Sequence, residues 1–165
     1  MNTEIVKSLQ QSFNELTGIL SALDQQQWNK VPFEGSWTPG QVADHLFMSY
    51  DAIETLKGNV VQTSRPIDAK RAEIEKLFLN FDIKMKSPDF IIPHEGTIEK
   101  TELLKSLELR TKELIDFAGS NDISLTCTDF ELPGDGPLTR LEWLAFINVH
   151  TKRHTHQLKK MQPYL

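Results

Sequence analysis

Cysteine is almost absent from this chain. Cys127 is the only one in 165 residues, so no internal disulfide and no multi-thiolate zinc site can form. A reducing compartment fits that usage, and a lone cysteine reads first as a small buried apolar residue. Long apolar runs are missing too, since nothing approaches the roughly 20 residues that span a bilayer. No run of Lys or Arg is present, and the formal net charge is −5. A clustered basic face, which binding to a nucleic acid backbone needs, is therefore not expected. The first residues, "MNTEIVKSLQQSFNEL", are amphipathic rather than a basic start followed by an apolar stretch, so a cytoplasmic protein is expected. No internal repeat or low-complexity segment occurs.

What remains is an ordinary composition, with 39% hydrophobic and 25% charged residues, in a length that suits one domain over residues 1–165. Ile5, Leu9, Phe13, Leu16, Leu20 and Leu23 recur at three- and four-residue steps, which predicts a first helix over 3–24. Pro and Gly in "VPFEGSWTPG" mark a connection. Thr38, Pro39 and Gln41 then form a capped start, predicting a second helix that runs to about Lys57 with Gly58 as its stop. "PIDAKRAEIEKLFLNF" predicts a shorter helix, and "KMKSPDFIIPHEG" extended coil. A third long helix is expected over 98–118, ended by Gly119. "DISLTCTDFELPGDGP" alternates in part and predicts a linker with a short strand-like stretch. Thr139 and Glu142 form a second capping box, opening a last helix that runs to about Met161. Four long amphipathic helices predict an all-α, antiparallel four-helix bundle, with a long excursion between the second and third.

Three of the five histidines fall in "HTKRHTHQ", residues 150–157. His150 and His154 are four residues apart and share one helix face, along with Trp143, Ile147, Leu158 and Met161. His156 falls about 160° from His154 and is expected to face solvent. On the second helix, Val42, Ser49, Ile53 and Leu56 define an inner face that also holds His45. Three imidazoles aimed at one core are costly unless something shared satisfies them. A divalent metal would do so, with an i,i+4 pair and a third His from a facing helix leaving a coordination position open. His94, in the loop "IIPHEG", is a further candidate as fourth ligand or pocket residue. Imidazole suits Zn, Ni, Cu and Fe alike, with Zn or Ni the first expectation.

"SWTPGQVADHLFMS" and "HTKRHTHQL" together resemble the signatures of the DinB-like metal-binding four-helix bundles. In that family a Trp precedes a capped helix with an inward His, and the last helix carries His, His four on, and Gln three beyond. The resemblance spans most of the chain and implies His45, His150 and His154 as the metal ligands. Many relatives carry another His just before the second of the last-helix pair, or an Arg just after it; here those places hold Arg153 and Thr155. The resemblance also implies a function. Some relatives are transferases that join a low-molecular-weight thiol, such as bacillithiol or mycothiol, to an electrophile, and one is a thiol-dependent maleylpyruvate isomerase. Others have no known activity.

A metal-dependent thiol S-transferase acting on small electrophiles is therefore the first functional expectation. Gln157 and Ser49, each one turn beyond a ligand, are its candidate catalytic residues, and Trp37 and Trp143 its candidate pocket walls. The alternatives are a metal-dependent hydrolase, for which Asp44 and Asp51 point off the histidine face, and a non-catalytic metal-binding, stress-related bundle. Expected partners are a small-molecule substrate and a second copy of the chain in a homodimer, with no nucleic acid and no membrane.

Overall fold

Apolar side chains at helical spacing give the first element its shape. Ile5, Leu9, Phe13, Leu16 and Leu20 are all buried on one face of α1 (Asn2–Ala22). The structure, a computed structural model, describes residues 2–165. After α1 come α2 (Gln25–Trp28), α3 (Pro39–Ser49), α4 (Ala52–Lys57), β1 (Val60–Val61), α5 (Arg71–Phe78), α6 (Lys100–Ser120), β2 (Thr126–Cys127) and α7 (Arg140–Met161). α1 packs on α6 and α7, and α3 packs on the same two helices, which makes the antiparallel four-helix bundle. Residues 58–99 form the excursion, and its helix α5 packs on α7. That cover explains why α7 is buried on every side from Arg140 to Thr151. No helix among the described residues is long and apolar enough to cross a membrane.

Local chemistry sets the boundaries, and some differ from the sequence expectation. α1 stops at Ala22 because Asp24 caps α2 in a reciprocal box with Gln27. α2 buries Trp28 beneath α3, and a Cβ on Gly40 would overlap the Trp28 indole, so only glycine lets these segments approach. The expected second helix is broken at Tyr50–Asp51 into α3 and α4. The Ser49 hydroxyl donates back to the His45 carbonyl at 2.7 Å, a contact that bends helices. The buried Tyr50 hydroxyl is bound to Thr151 Oγ1 at 2.7 Å. α6 begins at Lys100 rather than Ile98, because the Ile98 N–H donates to Asn29 Oδ1 at 2.7 Å. It also runs through Gly119 to Ser120.

Two contacts tie the excursion down. β1 pairs antiparallel with β2, Val60 opposite Cys127 and Val61 opposite Thr126. Glu142, the third helical residue of α7, completes the Thr139 capping box and also receives Arg65 through two hydrogen bonds at 2.7 and 2.6 Å. The Lys70 backbone N–H adds a third at 2.8 Å. One buried carboxylate thus anchors both α7 and the approach to α5, and α5 delivers Phe78 to the histidines.

Candidate metal centre

Thr38 caps α3 and Thr139 caps α7, so both helices enter the core in fixed register. α3 carries His45 inward, and α7 carries His150 and His154 one turn apart. His45 Nε2 lies 3.2 Å from His150 Nε2, and His154 Nε2 lies 3.1 Å from the same atom. One nitrogen from each of the three residues lies within 4.8 Å of the others. Nitrogens held at 2.0–2.1 Å by a tetrahedral ion stand about 3.3 Å apart, so the spacing suits a small divalent metal.

The ring protons support the same reading. His45 Nδ1 donates to the Ile91 carbonyl at 2.8 Å, which can only accept. His154 Nδ1 donates to Gln157 Oε1 at 2.8 Å. Both Nε2 atoms therefore point lone pairs inward. His150 Nδ1 is buried with no partner. If His150 carries its proton on Nε2, it can satisfy only one of its two neighbours. A cation satisfies all three nitrogens together, so the residues fit a metal ion.

Burial keeps the imidazoles neutral. It lowers the pKa of His45, against the opposing pull of the Ile91 hydrogen bond and the Asp44 charge. It lowers His150 well below the ordinary histidine value, with His154 and His45 adding to the effect. His154 falls to about 3, chiefly through burial and then His45, despite its bond to Gln157. Metal binding requires this deprotonated form.

The site opens into a cleft of about 1140 Å³. Trp37 packs against His45 with ring centroids 5.1 Å apart and lies parallel to His154 at 6.5 Å. Phe146 stacks on His150 at 5.4 Å, and Phe78 meets the same ring edge-on at 5.9 Å. Trp143 and Ser49 also line the cleft. Ser49 is engaged with the His45 carbonyl, so its hydroxyl is committed to the backbone of α3 rather than free in the cleft. Gln157 holds the ring of His154.

Two expectations need correction. His156 does not stand free in solvent. It is half-buried and stacks on Phe81, with centroids 4.0 Å apart and planes 7° from parallel. The excursion covers a face of α7 that the helical wheel alone assigns to water. His94 does not join the triad. Its backbone N–H and its Nδ1 both bind Asp44 Oδ2, at 2.8 and 2.7 Å, and its side chain is 77% exposed. The Asp44 carboxylate is taken up by His94, and Cys127 is buried, its thiol pushed up to about 11 chiefly by desolvation.

Other contributors carry little or no sequence signal. Phe146 could be found, because it precedes His150 by one turn on the same stripe. Phe78 and the Ile91 carbonyl could not, since both arrive from the excursion, whose path over α7 is set by long-range contacts. Arg153 donates to the carbonyls of Phe78, Asn80 and Ile83, fastening that excursion over the site.

A helical bundle with three inward histidines on its second and last long helices defines the class as a candidate metal-binding four-helix bundle. Residues 8–158 match the family model of the DinB superfamily, and the chain belongs to that superfamily. No curated protein and no solved structure matches it.

Proposed function

We propose that this protein is a metal-dependent S-transferase that joins a low-molecular-weight thiol to a small electrophile, with the ion held by His45, His150 and His154. The observation that carries the reading is the convergence of three neutral imidazole nitrogens at the floor of an open, mainly apolar cleft. Three protein ligands leave a position for an incoming group, the layout of reactive rather than structural sites. A divalent ion there supplies a Lewis acid and favours a thiol in its nucleophilic thiolate form. The Ile91 carbonyl and Gln157 keep the outer ring protons of His45 and His154 turned away, so both inner nitrogens stay available. Trp37, Phe78 and Phe146 wall the imidazoles and limit water beside them. The kinship with thiol-using DinB-like proteins supports the choice of thiol over water. So does the lack of a free carboxylate at the triad, because Asp44 is bound to His94 and Asp51 to Arg110.

The test has two stages. Elemental analysis of tag-free protein should find about one divalent ion per chain, and far less in His150→Ala/His154→Ala. Equal metal in both proteins removes the site assignment. The Zn and Ni forms are then assayed with bacillithiol, mycothiol, glutathione and coenzyme A against small electrophiles. Ester hydrolysis indifferent to every thiol would replace transfer with hydrolysis, and silence in both assays would leave a non-catalytic metal-binding bundle.

A further inference from the structure

The cleft has a charge opposite to that of the chain. The protein as a whole carries −5. Yet Lys84, Lys86, Arg153 and Lys160 line the cleft against only Asp51 and Asp135. Asp51 is paired with Arg110, which cancels most of its field. Arg153 spends its guanidinium on three backbone carbonyls. Lys84, Lys86 and Lys160 take part in no ion pair among the described residues, and all three are exposed.

Their placement is ordered. Arg153, His156 and Lys160 follow at helical spacing and form the stripe of α7 beside the one that carries His150, His154 and Gln157. The stacked pair of Phe81 and His156 joins this stripe to the excursion, which brings Lys84 and Lys86 to the mouth of the cleft. Lys160 stands six residues beyond His154, about 9 Å along the helix. Deeper in, the surroundings of the imidazoles are aromatic: Trp37, Phe78 and Phe146 at the triad, then Trp143, Phe130 and Phe90 outward. An apolar floor with unpaired cations at one side of the mouth selects a ligand with both characters.

We propose that the molecule taken up by this cleft is a small organic anion with an apolar, preferably aromatic, body. The body lies along the aromatic wall, and its carboxylate or equivalent group meets Lys84, Lys86 and Lys160. This assignment rests on the S-transfer reading, since it specifies the substrate of the same site.

The probes are 4-phenylbutyrate and its neutral counterpart 4-phenylbutyramide, titrated by calorimetry into metal-loaded protein without any thiol. Wild type should bind the carboxylate about tenfold more tightly, the sum of modest contributions from three exposed charges. In Lys84→Gln/Lys86→Gln/Lys160→Gln that preference should fall to about twofold. Raising the salt concentration in wild type should shrink it without any substitution. A preference that survives the triple substitution would put the anion on the metal and overturn the proposal. Equal binding of the two probes, or binding of neither, would overturn it as well. Thiol-dependent turnover with equal binding of the probes would end this assignment alone. A lysine-dependent preference without turnover would end the transfer reading alone.

Discussion

The side-chain carbonyl of Gln157 accepts the Nδ1 proton of His154 at 2.8 Å, one helical turn beyond the ring it orients. Gln157 therefore fixes the orientation of the His154 ring and turns its inner nitrogen toward His45 and His150. Partners of this kind typically govern 10–100-fold in metal affinity. Gln157→Ala should weaken zinc affinity by about tenfold in a chelator competition, with unchanged helix content. Gln157→Glu, which keeps an acceptor, should recover most of the loss. Unaltered affinity in the alanine variant would mean that His154 is oriented by packing alone.

His156 tests the correction to the helical wheel. Its stack on Phe81 holds the excursion against α7 but leaves the three inner nitrogens untouched. An aromatic pair of this kind contributes about 0.5–1.5 kcal/mol. His156→Ala should leave metal affinity within about threefold and speed amide exchange around residues 79–86. Affinity lost as fully as in His154→Ala would show that the register of α7 is wrong.

Much of this arrangement is written locally. Thr139 with Glu142, and Thr38 with Gln41, announce where α7 and α3 begin, and the four-residue step between His150 and His154 places both on one face. The Asp24–Gln27 box carries the same kind of signal, but the apolar stripe running on to Leu23 carries the expected helix past it. The break at Tyr50–Asp51 was not, because neither Pro nor Gly marks it. It coincides with the Ser49 hydroxyl bonding back to the His45 carbonyl and with the buried bond between Tyr50 and Thr151, 101 residues apart. The cover over His156 was hidden for the same reason, since Arg153 binds carbonyls about seventy residues away and a carbonyl has no residue identity.

Glu142 links folding to pH. Burial alone would raise its pKa, but the hydrogen bonds from Arg65, Thr139 and Lys70 outweigh burial and hold it below the ordinary value of 4.5. The unfolded chain therefore takes up this proton first as pH falls. The stabilisation is complete well above pH 4.5 and is lost as pH drops through that value toward the lower folded one. Glu142→Gln should cost about 2 kcal/mol at pH 7, a moderate figure because Arg65 is partly exposed. It should also flatten the denaturation midpoint between pH 5 and 3, by about the one proton this residue contributes. An unchanged slope would assign the acid sensitivity to other carboxylates.

Asp44 reaches the triad through two steps. Its Oδ2 receives the backbone N–H and the ring Nδ1 of His94, and this clasp fixes the segment in which the Ile91 carbonyl holds the Nδ1 proton of His45. Asp44 is buried whereas the His94 ring is exposed, so the backbone bond is the one shielded from competing water. Asp44→Ala should loosen residues 91–94 in hydrogen exchange and lower zinc affinity by about fivefold, less than the loss of a direct ring partner. Asp44→Asn keeps an acceptor for the His94 N–H and should restore most of the affinity. His94→Ala removes only the exposed ring and should cost twofold or less. Equal losses in the alanine and asparagine variants at position 44 would point instead to the Asp44 charge acting on His45. A loosened loop with full affinity would show that His45 keeps its orientation without Ile91.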